Sequence, residues 1–124
     1  MSRAAWSIAA FGAYMLATGL LLTVAPPAAL RHADPQAPYE PVRLLGILTA
    51  VVGGYYLAAA RGELRPFFRY TVVGRATAAA AMLALVLSGN ARAPLLLVGT
   101  LDLLGALWTA SALRRGRSAI GATR

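Results

Sequence analysis

The chain has 124 residues, 59% of them hydrophobic and only 13% charged, with no cysteine, one histidine and a formal charge of +8. A soluble domain carries roughly 25% charged residues, and a chain this short cannot hide the apolar excess inside a larger core, so lipid is the solvent the composition calls for. The lack of cysteine excludes disulfides, thiolate metal sites and iron–sulfur clusters. A lone His32 excludes a haem held by two histidines of one chain.

The first apolar run extends over residues 4–25, with Arg3 before it. Its core from Ile8 to Val24 is longer than the ~7–15 residues of a signal-peptide core. The nearest cleavage-like site, Thr23-Val24-Ala25, runs into Pro26-Pro27. We read the run as a retained membrane span.

Residues 26–41 follow as a loop containing Pro26, Pro27, Pro35, Pro38 and Pro41, with Arg31, His32, Asp34 and Glu40. Proline at this density cannot supply the backbone donors that a membrane helix needs. His32 and Asp34 read as a solvated polar pair.

Three further apolar runs cover residues 42–60, 70–88 and 94–113, the last opening on Pro94, a residue suited to the first turn of a helix. Helices of this length reach about 29–30 Å and match the hydrocarbon core of a bilayer. The short connections make neighbouring helices antiparallel, and residues 118–124 read as a flexible tail. The expected fold is a single all-α domain, a membrane four-helix bundle running up-down-up-down.

All twelve basic residues are arginine. They stand at the ends of apolar runs rather than on a soluble face interleaved with aromatics, which argues against nucleic acid as a partner. Arg3, Arg61, Arg65, Arg69, Arg114, Arg115, Arg117 and Arg124 fall on one side, against Arg31, Arg43 and Arg92 on the other. By the positive-inside rule both termini are expected in the cytoplasm of a bacterial cell and the proline-rich loop outside. Trp6, Tyr55, Tyr56, Phe67, Phe68, Tyr70 and Trp108 cluster near the same side, as an interfacial aromatic belt does.

Small residues recur within the spans: Gly12 and Gly19 in the first, Gly46, Ala50, Gly53 and Gly54 in the second, Gly99, Gly105 and Ala106 in the fourth. Small residues let membrane helices approach closely where no hydrophobic effect drives them together. Gly46, Gly53, Gly54, Gly99 and Gly105 are therefore expected at helix contacts.

Asp102 is the most informative residue. It lies eight residues beyond Pro94 and twelve before Arg114, near the membrane centre, where an aspartate costs on the order of 2.5–3.5 kcal/mol. Its helix face carries Gly99, Gly105, Ala106 and Thr109, small and partly polar. Two arginines qualify as partners. Arg75 lies six residues inside Arg69 on a face with Thr71, Ala78, Ala79 and Met82; Arg43 enters just after Pro41. Helix rise puts each roughly 9 Å from Asp102 in depth, and both assignments stay open. The site is either an ion pair that fixes helix register or a carboxylate that couples to a proton or ligand. With one intramembrane carboxylate and no histidine or cysteine beside it, neither a catalytic role nor a bound metal or cofactor is expected.

The stretches Gly53-Gly54-Tyr55-Tyr56-Leu57-Ala58-Ala59-Ala60-Arg61, Val73-Gly74-Arg75 and Asp102-Leu103-Leu104-Gly105-Ala106-Leu107-Trp108-Thr109 resemble those of small four-span bacterial membrane proteins, DoxX-like in style. The resemblance spans about three of the four helices. It implies a compact bundle, and association with quinone-linked redox complexes for some of its members. Small multidrug exporters fit less well, because they place a glutamate in the first span, where this chain has no acid. Fluoride channels often insert in both orientations, which the arginine asymmetry here opposes. The expected function is that of a non-catalytic bundle that binds a partner protein, a lipid or a quinone, with the bilayer and a second copy of the chain as further partners. The alternatives are a small transporter or channel using Asp102, and a cofactor-free subunit of a membrane oxidoreductase.

Overall fold

A computed structural model describes residues 1–32 and 34–121, with side chains as far as residue 115. The described residues form five helices and no strand: α1 (Arg3–Val24), α2 (Pro26–Leu30), α3 (Tyr39–Arg61), α4 (Arg65–Leu87) and α5 (Leu95–Gly121). Four of them, α1, α3, α4 and the Leu95–Arg115 part of α5, are long and apolar enough to cross a membrane. The protein is a multi-pass α-helical membrane protein. Its apolar side chains point outward accordingly: Leu44, Leu48, Leu97, Leu104 and Leu107 are all exposed, as lipid-facing residues are where the solvent itself is apolar.

The helix ends differ from the sequence expectation in instructive ways. The proline-rich loop contains a helical turn, α2, with Pro26 and Pro27 in its first two positions. Amide donors there have no partner inside a helix, so proline loses nothing. The same reasoning lets α3 start at Tyr39 with Pro41 as its third residue, and α4 start at Arg65 with Pro66 as its second. Both helices begin three to five residues before the apolar runs do. At the other end α5 runs on to Gly121, through part of the expected tail; Gly116 costs a helix only about 1 kcal/mol and no proline follows. Residues 122–124 of that tail lie outside the described residues. Within the loop, His32 accepts a hydrogen bond from Arg31 Nε at 3.2 Å.

Helix α4 ends in a complete glycine cap. Gly89 adopts a left-handed backbone at φ +75°, its N–H donates to Val86 O at 3.1 Å, and the N–H of Asn90 donates to Leu85 O at 2.9 Å. This is the paired-bond pattern of a Schellman motif.

The chain divides into two compact units, residues 8–62 and residues 1–7 with 63–124. In the first, α1 and α3 run antiparallel along a seam of four glycines. A Cβ on Gly12 would come within 3.0 Å of Gly53 O, and one on Gly53 within 2.8 Å of Gly12 O. One turn-pair further on, a Cβ on Gly46 would lie 2.7 Å from Gly19 O, and one on Gly19 would strike the Ala50 amide. Backbone atoms are among the obstacles at all four positions, so only glycine fits. Phe11 packs against Tyr14 and Tyr56 with ring centroids 5.8 and 5.5 Å apart. Tyr56 and, in the other unit, Phe68 are buried, so these two aromatics belong to helix packing and not to the interfacial belt; Trp6, Tyr55, Tyr70 and Trp108 remain exposed.

In the second unit α4 and α5 form an antiparallel hairpin. Met82 and Ala79 flank Gly99, and Arg75 lies against Gly105.

Candidate functional site

The second unit holds the intramembrane charges. Helix α4 presents Thr71 and Arg75 from one buried stripe, while α5 presents Asp102, Gly105, Ala106 and Thr109 at three- and four-residue spacing, the spacing that aligns side chains on one face. Arg75 Nε lies 3.8 Å from Asp102 Oδ1, with only 4% of the arginine and 14% of the aspartate side chain exposed. That distance is an ion pair, not a direct hydrogen bond.

Gly105 makes the pair possible. The guanidinium of Arg75 occupies the position of the missing Cβ at residue 105, with Arg75 Cζ only 2.7 Å from it. Arg75 is therefore level with Gly105, three residues from Asp102, or about 4.5 Å along the axis. Helical side chains lean toward the helix N-terminus, so on antiparallel helices these two lean apart, and only the length of arginine closes the gap. The larger depth difference expected from helix rise assumed Arg69 and Arg114 to be level. With Arg75 at the level of Gly105, Arg69, six residues earlier, falls at about residue 111, which slides the two rulers by roughly one turn.

Arg43, the other candidate partner, is exposed near the start of α3 and belongs to the residue 8–62 unit. The structure gives Asp102 its ion pair with Arg75. The glycines divide by role. Gly46 and Gly53 lie in the α1–α3 seam, and Gly105 seats a side chain rather than a helix backbone. Gly99 is in ordinary contact distance of Met82, at 3.5 Å from where its Cβ would be. Gly54, expected at a helix contact, has nothing within 4 Å of that position; it follows Gly53 by one residue and so points about 100° away from the seam.

Two hydroxyls extend the polar face. Ser7 Oγ and Thr109 Oγ1 are 3.0 Å apart and both buried. Ser7 also reaches Ala4 O at 2.7 Å and Thr109 reaches Gly105 O at 3.0 Å, so Thr109 bonds to the carbonyl of the residue that seats Arg75. The sequence signal was Thr109 itself, seven residues beyond Asp102 on its face; Ser7, the first polar residue of the first run, had no visible partner.

Outside the spans a second constellation ties the N-terminus down. The Glu63 carboxylate accepts hydrogen bonds from the backbone N–H of Ser2 and, at 2.8 Å, from the Ser2 hydroxyl. Ser2 Oγ in turn accepts from the Ala5 N–H at 3.1 Å, an N-terminal cap for α1. The terminal ammonium lies 4.0 Å from Glu63. The Ser2 amide, followed by the Ser2 hydroxyl, holds the Glu63 carboxyl below its ordinary value. Glu63 pays for this position with a left-handed backbone at φ +49°, where a non-glycine residue costs roughly 1–2 kcal/mol, although Gly62 stands next to it.

Comparison with protein-family models, curated proteins and solved structures finds no match to this chain. Among the described residues no group of three or more His, Cys, Asp or Glu side chains is placed to hold a metal ion. What the unit does present is a series of clefts at its arginine-bearing end. One of about 270 Å³ is lined by Arg3, Arg65 and Arg115 over Ala4, Ala112 and Leu113. Another of about 310 Å³ shares Arg3 and Arg115 and lies between Trp6 and Trp108.

Proposed function

We propose that the protein is a non-catalytic membrane component, related in style to the DoxX-like proteins, that works by binding a partner protein, a lipid or a quinone. The observation that carries this reading is the ion pair of Arg75 and Asp102 on its glycine seat. A carboxylate committed to an arginine inside one hairpin serves to fix the register of α4 and α5, and its charge is already answered. The outer faces, lined by exposed leucine, valine and tryptophan, are the surfaces left for recognition. The arginine distribution supports residence in a bacterial cytoplasmic membrane with both termini cytoplasmic and the loop of residues 26–41 outside.

A transporter or channel is the second reading. It draws on the Asp102 side chain, which keeps more exposure than Arg75, as a carboxylate that exchanges protons with a hydrated path would.

The deciding experiment is purification from native membrane in mild detergent, with co-purifying lipids, quinones and proteins identified by mass spectrometry. A molecule retained in stoichiometric amount is expected. A pH-dependent solute flux in proteoliposomes, abolished by Asp102→Asn in a variant that still folds, would replace this reading with the transporter. Orientation is tested with single cysteines at Ser2, His32, Ser88 and Ser118 and a membrane-impermeant thiol reagent in intact cells. Labelling at 32, and not at 2 or 118, is expected.

A further inference from the structure

We propose that the arginine-lined clefts form a binding site for an anionic phospholipid, with its phosphodiester among Arg3, Arg65 and Arg115 and an acyl chain running between Trp6 and Trp108. The proposal rests on the reading above only in taking lipid as the class of ligand.

Three observations carry it. First, the arginines come from three different helices: Arg3 opens α1, Arg65 opens α4, and Arg115 closes the membrane-crossing part of α5. Charges scattered for orientation alone need not converge, yet these three line one cleft. All are exposed, and the nearby acid, Glu63, is shared with Ser2 and the N-terminal ammonium. Three guanidiniums against one carboxylate leave a net positive cleft, suited to a phosphate through the planar donor geometry of arginine.

Second, the rest of the lining is mostly apolar. Ala4, Ala112 and Leu113 share the cleft with the arginines, where a free phosphate ion would gain nothing and a glycerol backbone with its first methylenes would be desolvated. Third, the neighbouring cleft shares Arg3 and Arg115 and opens between Trp6 and Trp108, 62% and 53% exposed. Tryptophan settles at the headgroup level of a bilayer, so the two clefts together give an arginine-lined pocket that continues into a furrow flanked by tryptophan at the depth of the lipid headgroups. Basic pockets between membrane helices recognise anionic headgroups in this way.

Trp6 and Trp108 are the two tryptophans of the chain, so intrinsic fluorescence reports on this furrow. The test places the full-length protein in phosphatidylcholine vesicles containing a small fraction of brominated lipid, either phosphatidylglycerol or phosphatidylcholine. Bromine quenches only tryptophan in contact with the brominated chain. Brominated phosphatidylglycerol is expected to occupy the site at least about five-fold better than brominated phosphatidylcholine at equal fraction, as a single well-placed arginine–lipid contact would give. The preference should fall to near one in the Arg3→Gln/Arg65→Gln/Arg115→Gln variant and survive Arg31→Gln/Arg92→Gln at the opposite helix ends. If the triple variant loses its helical circular dichroism, Arg65→Gln alone, which leaves the tryptophan furrow intact, must lower the preference.

A preference near one in the parent protein, or one that persists in a folded triple variant, would overturn the proposal. So would complete loss of the preference in millimolar inorganic phosphate at constant ionic strength, which would make the cleft a phosphate site, or stoichiometric capture of an acidic protein through the same arginines with no lipid preference. None of these outcomes bears on the flux measurement, so this site and the non-catalytic reading fail separately.

Discussion

The guanidinium of Arg75 lies where a side chain at residue 105 would have to go, so the glycine and the arginine form one device. A methyl group added at 105 must push the end of the Arg75 side chain out of its buried seat. Gly105→Ala should move the guanidinium off Asp102 and destabilise the protein by at most about 3–5 kcal/mol, the scale of a fully broken buried pair. Gly99→Ala, whose new methyl meets Met82 at an ordinary 3.5 Å, should melt close to the parent. Unfolding in mixed micelles with increasing denaturing detergent compares the two.

Removing the other partner should have a similar effect. Asp102→Asn leaves a buried guanidinium facing an amide, and a loss of about 3–5 kcal/mol is expected. The double variant Asp102→Asn/Arg75→Gln should recover much of that loss, whereas Asp102→Asn/Arg43→Gln should not. Equal rescue by both arginine changes, measured by the same unfolding assay, would contradict the pairing described here.

Much of this architecture was legible in the sequence, and the failures have physical causes. Apolar length alone located the four spans. It missed the starts of α3 and α4 because Pro41 and Pro66 look like interruptions, although the first turn of a helix has no use for their amides. Helix rise alone leaves Arg75 and Arg43 equally far in depth from Asp102, because it takes Arg69 and Arg114 as level. Gly54 was grouped with Gly53 because spacing shows which residues are small, not which side of a helix meets a neighbour. The left-handed turn at Glu63 was hidden by the more permissive Gly62 beside it.

The glycine seam offers a position-by-position contrast. Gly53→Leu drives a side chain into Gly12 O and the Leu16 backbone, and Gly19→Leu into the Ala50 backbone. Each should part α1 from α3 and lower the midpoint of thermal unfolding in detergent by 10 °C or more, on the order expected of an effect of a few kcal/mol in a small domain. Gly54→Leu, one residue along, meets no obstacle and should leave the midpoint nearly unchanged.

Attachment of the N-terminus should depend on pH. The native Glu63 carboxyl is held below its ordinary value by its bonds to Ser2. Its contribution is therefore complete above the ordinary carboxylate range and is lost as pH falls through the lower native value. Amide exchange at Ala4, Ala5 and Trp6 should be slow at neutral pH, after correction for the intrinsic rate. It should quicken on acidification below about pH 4, where model carboxylates protonate, and be fast at every pH in Glu63→Gln. Unchanged protection in that variant would detach the clamp from the carboxylate charge.

The glycines of the α1–α3 seam are seven residues apart on both helices. Seven residues of a straight helix fall about 20° short of two full turns, so straight rods touching at Gly12 and Gly53 would already be turning away from each other at Gly19 and Gly46. Both contacts are made, so the ~20° is taken up within this one interval. A seam of this kind is indifferent to which residues line its outer faces and intolerant of any change in count. One alanine inserted between Gly12 and Gly19 rotates the second glycine by about 100°, bringing a Cβ against the α3 backbone. This hairpin can therefore drift widely in the composition of its lipid-facing surface while its length between glycines stays fixed.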